Sequence, residues 1–255
     1  MHRKNAIDEK NRKKHLRFIV AVISLLVIYA LAYVAFILLP RESTVPLNQG
    51  SGPVVITTPE LIPDYSGEDC FIINNGIPGF TNEDLENIKG EQYTELDSLG
   101  RCGTAVALLD ASMMPTEKRG DISEVKPSGY KQAQYEGIIE FDPPYLYNRS
   151  HLIAYALTGQ NANEKNLITG THHMNSESML YWENQVIRFL HDSDYHVLYR
   201  VTPYFKGKEL VARGVEMEAY SVEDKGSSIC FHVFVYNVQP EVEIDYKTGE
   251  SKTAE

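Results

Sequence analysis

The chain has 255 residues, of which 43% are hydrophobic and 10% aromatic, and its formal net charge is −11. This length and apolar content suffice for one or two domains with a sizeable core, which excludes an intrinsically disordered chain. The acidic balance excludes a protein that stores nucleic acid on a basic surface, but it permits a locally positive cleft in which a metal ion supplies charge.

The first predicted element is a membrane helix. Residues 1–17 contain seven Lys or Arg and two Asp or Glu, and residues 18–39 follow as an uncharged run of 22 residues. Such a run can cross the roughly 30 Å hydrocarbon core as a helix. The positive-inside rule places the basic segment in the cytoplasm and the chain after the apolar run outside. The residues after position 17 include 17 of the 24 basic and 33 of the 35 acidic residues, so the outer part is strongly acidic.

We therefore expect a signal anchor at residues 18–39, which makes the protein a single-pass protein of the cell membrane with an extracellular C-terminal domain. The alternative is a cleaved signal peptide and a secreted domain. Against it, the apolar run exceeds the roughly 7–15 residues usual in signal peptides, and no A-x-A site follows.

The segment after the anchor, residues 40–69, is rich in Pro, Ser, Thr and Gly without a sustained period. It is predicted to be an extracellular linker, either a tether or an arm wrapped on the domain. The globular domain is predicted to span residues 70–255. Its cysteines lie outside the membrane, where one disulfide is permitted; Cys70 with Cys102 is the favoured pair, and free thiols, with Cys230, are the alternative.

The domain has the pattern of an α+β fold. "TNEDLENIKG" predicts a short capped helix ending at Gly90, and the following stretch leads from a polar turn into an apolar element at "TAVALLD". Near-alternating β-branched and aromatic residues predict a central antiparallel sheet from four strands, at residues 135–142, 196–205, 210–222 and 228–239.

One helix interrupts these strands. It is predicted within residues 176–193, because apolar residues recur there at helical spacing, namely Met179, Trp182, Val186 and Leu190.

A polar stretch before this helix, "NRSHLIAYALTGQNANEKNLITGTHHMN", contains three His and five Asn. We expect His151 to begin an apolar strand, Asn166 to lie in a loop and Asn175 in the first turn of the helix, so that a strand pair crossed by a helix brings them together. A histidine is poised as a general base at neutral pH. A neutral asparagine oxygen suffices for Mg²⁺, which keeps its waters, and it leaves the cation's charge available to a phosphate.

The motifs "NRSH", "NLITGT", "MN" and "YWEN" resemble the DNA/RNA non-specific endonucleases of the ββα-metal class, whose signature reads Asp-Arg-Gly-His. The blocks "LDSLGRCGTAVALL", "MPTEKRG", "VKPSGY" and "VLYRVTPYF" are similar to the bacterial membrane-anchored DNA-entry branch. Two positions depart from the signature. Asn148 replaces its Asp and loses a charge that could hold the histidine, and Ser150 adds a side chain where glycine allows close approach.

The resemblance implies a role for each matching residue. His151 is the general base, and Asn175 is the one protein ligand of a single Mg²⁺, with Mn²⁺ as the alternative ion. Asn166 supports the metal site, and Arg149 contacts phosphate. Glu183 orients metal-bound water, and its spacing of eight residues, about two helical turns, allows it to face the same side as Asn175.

The implied reaction is hydrolysis of DNA, and also of RNA, to 5′-phosphate ends with low sequence specificity. The implied partners are these nucleic acids, the membrane through the N-terminal helix, and the DNA-uptake machinery. Degradation of incoming DNA, nutrient scavenging and escape from extracellular DNA traps fit equally well, and the oligomeric state stays open.

A competing hypothesis is a catalytically silent, membrane-anchored nucleic-acid-binding or adhesion module that retains the nuclease fold. The acidic charge and the altered signature favour it, whereas four retained residues oppose it, namely His151, Asn166, Asn175 and Glu183. A zinc site at His172 and His173 is disfavoured, because neighbouring side chains on a helix point about 100° apart and no H-E-x-x-H or paired C-x-x-C motif accompanies them.

Overall fold

The computed structural model describes residues 62–255. The predicted anchor and most of the predicted linker lie outside the described residues. Within residues 62–255, no helix is both long and apolar enough to cross a membrane. The last part of the predicted linker is an arm on the domain, since Ile62 is buried in a cluster with Tyr204 and Phe234.

Ten strands and three α-helices make up the described part of the chain. The strands are β1 (Cys70–Ile72), β2 (Glu91–Tyr93), β3 (Ala105–Leu109), β4 (Tyr147–His151), β5 (Leu167–Thr171), β6 (Val197–Tyr204), β7 (Gly214–Ser221), β8 (Cys230–Tyr236), β9 (Val242–Asp245) and β10 (Glu250–Thr253). The helices are α1 (Asn82–Asn87), α2 (Tyr155–Thr158) and α3 (Met179–Asp192). Shorter turns lie at Asn74–Gly76, Ala111–Met113 and Glu164–Asn166 as 3₁₀ turns, and at Met174–Ser178 as a π turn.

A six-stranded antiparallel sheet forms the centre of the domain, in the order β1-β8-β7-β6-β3-β2. The predictions of α+β class and of a central antiparallel sheet are confirmed, and the three predicted strands after the helix are β6, β7 and β8. Because side chains alternate along a strand, each strand has one face on each side of the sheet. Val215, Met217 and Ala219 of β7 face the main core, which also contains Met179, Val186 and Leu190 of α3 (together with Val197, Tyr199, Val201, Phe231, Val233 and Val235).

The helix predictions are confirmed with shifted boundaries. Thr81 caps α1 in a capping box, in which its hydroxyl accepts from the Asp84 amide at 3.1 Å and the Asp84 carboxylate accepts from the Thr81 amide at 2.7 Å. The helix ends at Asn87, before the predicted end at Gly90. The apolar element predicted near residue 105 is β3.

The predicted strand at residues 135–142 is wrong. The amides of Ile138 and Ile139 both donate to the Tyr135 carbonyl, at 3.2 and 3.0 Å, and Gly137 adopts a positive φ of 80°. These bonds close a turn, which the glycine accommodates without strain. The apolar residues are instead used locally, because Ile139 is buried against Leu146 and Tyr147.

The expectation that His151 begins a strand is also wrong, because His151 is the last residue of β4. Leu152 and Ile153 after it are fully buried outside any strand, and α2 follows at once. The apolar run therefore forms a buried connection between β4 and α2. The strand that carries the histidine is the more polar segment "YNRSH" before it.

The favoured Cys70–Cys102 disulfide is absent, and all three cysteines are free thiols. The buried Cys102 thiol lies 3.2 Å from the carbonyl oxygens of both Glu164 and Leu167, to which it can donate. It therefore links the strand β3 region to the start of β5 by a weak hydrogen bond.

The ββα motif is formed by the antiparallel hairpin β4–β5, the π turn and α3. The hairpin register runs from Tyr147 opposite Thr171 to His151 opposite Leu167. Asn237, fully buried just after β8, attaches it to the sheet: its amide donates to the Thr169 carbonyl at 2.9 Å, and its side-chain oxygen accepts from the Thr171 amide at 2.8 Å. The Asn237 hydrogen bonds therefore fix the position of the ββα motif relative to the sheet.

Candidate active site

His151 is held at the end of β4 in an orientation that suits a base. Its side chain is only 7% exposed, and Nε2 lies 2.8 Å from the backbone carbonyl oxygen of Asn161. A carbonyl can only accept, so Nε2 carries the proton and Nδ1 keeps the lone pair. Burial lowers the pKa of His151, against the opposing effect of the Asn161 bond, so the imidazole is neutral at pH 7.

Asn166 acts on the chain next to His151. It is fully buried; its side-chain oxygen accepts from the Ile153 amide at 2.8 Å, and its side-chain nitrogen donates to the Ile153 carbonyl at 3.0 Å. Its own carbonyl accepts from the Leu152 amide at 2.9 Å. These bonds fasten the two residues that follow His151, so the amide of Asn166 is already occupied with positioning the backbone.

His151, Asn175 and Glu183 line one cavity of about 350 Å³, which we call the central cavity. Asn175 lies in the π turn, where the Met179 amide bonds to the Met174 carbonyl five residues earlier. π turns inside helices are common at functional sites. The structure thus brings together His151, Asn175 and Glu183, for which the sequence analysis predicted the roles of base, metal ligand and water-orienting residue.

Glu183 and Asn175 fit a divalent cation with its water shell. Glu183 is 7% exposed, and burial raises the pKa of its carboxyl to about 8. Within residues 62–255 the side chains of Glu183 and Asn175 form no hydrogen bond with the protein, although both reach the central cavity. An amide oxygen and a carboxylate are the hard donors that Mg²⁺, Mn²⁺ and Ca²⁺ accept.

Arg149 lies outside the central cavity and lines a second cavity beside it. Its guanidinium donates to the Val125 carbonyl at 2.5 Å and to the Ser123 carbonyl at 2.7 Å, and it stacks over the Tyr130 ring at 4.5 Å. This second cavity, of about 490 Å³, also contains Asn175, and we call it the flanking cavity. Arg149 is not among the residues of the central cavity.

Arg119 is a site residue that sequence reasoning did not single out. It is exposed, it lines both cavities, and within the described part of the chain it makes no hydrogen bond or ion pair. Its only signal in the sequence was the block "MPTEKRG". Gly120 permits the approach of this loop, because a Cβ there would lie 2.8 Å from the side-chain nitrogen of Asn161, whose carbonyl holds His151.

The two departures from the signature have different structural consequences. Asn148 lines the flanking cavity, and its side-chain nitrogen is buried without a hydrogen-bond partner. Ser150 is fully buried and lines neither cavity. Its side chain fills the space above Gly170, where a Cβ would lie 2.1 Å from the serine Oγ. The extra side chain therefore points into the hairpin and leaves the central cavity open.

His172 and His173 turn to different partners. His173 Nε2 lies 2.7 Å from a carboxylate oxygen of Asp69, whereas the His172 ring packs 5.2 Å from the Phe141 ring. Neither residue lines the central cavity.

A second group of potential ligands, Glu216, Glu218 and His232, is buried on the sheet face opposite α3, with ligand atoms within 4.8 Å of one another. Partners from the chain occupy these atoms. His232 Nε2 bonds to Glu216, which also accepts from the Tyr204 hydroxyl at 2.6 Å, and Arg200 donates to Glu218 at 2.6 Å.

Although burial opposes it, the Glu216 bond and the charge of Glu218 raise the pKa of His232. Arg200, together with His232 when it is protonated, balances the charge of the two carboxylates. The hydrogen bonds favour a structural charge network over a second ion site, because each carboxylate would have to surrender a partner to a metal.

Comparison with known proteins agrees with this geometry. The family described as DNA/RNA non-specific endonuclease matches residues 82–223, which include every residue of the central cavity. Among solved structures, NucA from Streptococcus agalactiae with magnesium ion bound is 28% identical, with a TM-score of 0.63 over 72% of this chain and 87% of that one.

A second similar structure is the Sda1 nuclease with bound zinc ion, which is 24% identical, with a TM-score of 0.59 over 73% of this chain and 97% of that one. At this identity the likeness supports the fold. The family match covers more than half of the chain, and the ββα arrangement of His151 and Asn175 accompanies it. The chain therefore belongs to the DNA/RNA non-specific endonuclease family of ββα-metal nucleases and is a metal-dependent endonuclease.

Proposed function

We propose that this protein hydrolyses phosphodiester bonds of DNA and of RNA outside the membrane, without sequence specificity and with Mg²⁺ as its ion. The observation that carries the proposal is the central cavity, in which His151, Asn175 and Glu183 meet the cationic Arg119. A base, an oxygen donor for a hard cation and a positive side chain are what an attack of water on a phosphodiester requires.

In this mechanism Nδ1 of His151 takes a proton from the attacking water. The Asn161 carbonyl keeps the other ring nitrogen protonated, and Asn166 holds the backbone beside the histidine. Asn175 would hold a divalent cation, whose positive charge would stabilise the attacked phosphate. Glu183 would orient water beside that cation, and Arg119 contributes charge to the same phosphate.

Mg²⁺ is preferred in this proposal because the candidate donors are oxygens and no cysteine lines the central cavity. The similar NucA structure contains magnesium, whereas the similar Sda1 structure contains zinc, so a metal series is needed. Mn²⁺ shares the oxygen preference and is the expected substitute.

The setting proposed for this activity is the outer face of a cell membrane. In it, residues 1–17 are cytoplasmic, residues 18–39 are the signal anchor, residues 40–69 are the linker and residues 70–255 are the nuclease domain. The supports are the charge asymmetry and the 22-residue apolar run. Degradation of DNA during uptake, beside an uptake machinery, is the proposed role.

The test uses the full chain in a mild detergent with plasmid DNA and with RNA, in Mg²⁺, Mn²⁺, Zn²⁺ or EDTA. We expect cleavage of both nucleic acids in Mg²⁺ and none in EDTA. His151→Ala should lose about 10²-fold or more of the rate, the usual contribution of a general base. The matched control is His191→Ala on the same protein, since the His191 side chain is 78% exposed at the far end of α3.

A folded wild-type protein that cleaves neither nucleic acid with any of these ions would overturn the proposal. It would then favour the silent binding module. Equal activity of His151→Ala and His191→Ala would remove His151 from the mechanism.

A further inference from the structure

The flanking cavity is larger than the central cavity and is not needed for attack of water on the phosphate. We propose that it binds an unpaired nucleobase of the nucleotide next to the scissile phosphate, so that the enzyme cleaves single strands in preference to duplexes. This inference rests on the proposed function and adds a substrate class to it.

The two cavities adjoin, because they share lining residues. Arg119 and Asn175 line both of them, so a phosphate placed at Asn175 also borders the flanking cavity. The volume of about 490 Å³ falls within the range of small-ligand sites. A nucleic acid strand that leaves the central cavity on this side must therefore pass the flanking one.

The lining of the flanking cavity suits a base and its phosphate. The ring of Tyr145 is 41% exposed, and its hydroxyl has no hydrogen-bond partner within residues 62–255. Aromatic rings that are open in this way stack on bases of any sequence. Arg119 and Arg149 supply positive charge for the backbone, and the unpaired buried nitrogen of Asn148 is a donor for a base or phosphate oxygen.

The protein's own hydrogen bonds hold this cavity in shape. Gln132 accepts from the Tyr147 amide at 2.9 Å and donates to the Tyr147 carbonyl at 2.6 Å, which fixes two lining residues to each other. Arg149 is itself held by the Val125 carbonyl and by the ring of Tyr130, over which it stacks. Walls that are already ordered reduce the entropy cost of binding a base.

The preference for single strands follows from how a base must enter. In a duplex each base is paired and stacked on both sides, so it reaches a cavity only after it is flipped out of the helix, which costs free energy. In a single strand that cost is largely absent. Low sequence specificity is kept, because stacking on a ring uses the face of the base and not its edge.

The test compares bonds within one oligonucleotide in the full chain with Mg²⁺. The substrates are a single strand, the same strand with one abasic nucleotide, and its duplex. We expect the bond beside the abasic position to be cut about tenfold more slowly than the same bond in the intact strand, as the loss of one stacked base predicts. The duplex should be cut at least about tenfold more slowly than the strand.

Tyr145→Ala should slow cleavage of the intact strand about tenfold and abolish the abasic effect. Tyr195→Ala is the matched control, because Tyr195 is also 41% exposed but packs on Phe189 and lines neither cavity. Normal cleavage beside the abasic position, or equal rates for the two variants, would overturn the inference.

A binding measurement separates failure of this inference from failure of the proposed function. Fluorescence anisotropy of the same labelled oligonucleotides on His151→Ala needs no catalysis. Weaker binding of the abasic strand would support the flanking site even if no variant cleaves, whereas equal binding of intact and abasic strands would overturn it.

Discussion

Asn166→Ala tests whether Asn166 positions His151, the proposed base, or takes part in the proposed metal site. The substitution removes both hydrogen bonds to Ile153, at 2.8 and 3.0 Å, and leaves that residue's amide and carbonyl buried without partners. Each unsatisfied buried group costs about 1–3 kcal/mol, so we expect the loss of both partners to lower the free energy of unfolding by about 2–6 kcal/mol. The rate should also fall, because His151 lies two residues before Ile153.

Urea unfolding of the wild type and the variant measures the loss of stability, and a titration of activity against Mg²⁺ measures metal affinity. We expect the variant's half-saturating Mg²⁺ concentration to equal that of the wild type, with a lower maximal rate. The matched control is Asn163→Ala, because Asn163 lies in the same turn, is half-buried and accepts a single bond from the Lys165 amide at 3.0 Å. Its expected cost is about 0.5–1.5 kcal/mol.

A different pattern would refute this reasoning. If Asn166→Ala unfolds at the same urea concentration as the wild type but needs much more Mg²⁺, then the amide of Asn166 belongs to the metal site and the bonds to Ile153 contribute little.

Three further outcomes are expected. Because burial raises the pKa of Glu183 to about 8, above its unfolded value of about 4.5, the metal-free protein should lose stability as the pH rises from about 4.5 to about 8. Thermal unfolding in EDTA should show this loss, and its persistence in Glu183→Gln would contradict the assignment to Glu183. Because the buried Ser150 hydroxyl has no partner, Ser150→Ala should raise the free energy of unfolding by about 1 kcal/mol. Gly170→Ala should lower it by about 1–3 kcal/mol, because the new Cβ meets the Ser150 side chain, and the loss should be smaller when Gly170→Ala is combined with Ser150→Gly. Additive effects of the two substitutions in urea unfolding would refute the contact between positions 150 and 170. Because burial lowers the pKa of His151, the rate should hold as the pH falls through 6.5 and decline only below it; a half-maximal rate at or above pH 6.5 would contradict the assignment.

Local patterns were enough to predict much of the fold. The alternation within β6, β7 and β8 and the helical spacing of Met179 and Val186 place these elements correctly, because each strand and the helix must present one apolar side to the same core. The pattern misled at residues 135–142, where Gly137 and local burial of Ile139 favour a turn that alternation alone does not reveal.

For the site, the sequence motifs identified the candidate residues, and the structure showed which of them line the central cavity and which hold the backbone. A glutamate in a helix is ordinarily expected on the solvated face. Glu183 is nevertheless only 7% exposed, because the π turn and the packing of α3 turn it toward the central cavity. Asn166 matches a metal-site asparagine by its place in the motif, yet its amide is bonded to Ile153. Arg119 enters the cavity from a loop 32 residues before His151 in the sequence.

The sequence by itself determined the chemistry available to this protein, since a histidine and neutral asparagines in the "NRSH" to "MN" blocks predict a base and a ligand for a hard metal ion. Through its periodicity the sequence also determined the class of fold. Only the tertiary structure decided that Arg119 joins the central cavity, that the Ser150 side chain points into the hairpin over Gly170, and that an open Tyr145 borders a second cavity. The physical reason is that periodicity reports which side of one element is buried, whereas contacts between loops distant in sequence depend on how the packed core places the elements that carry them.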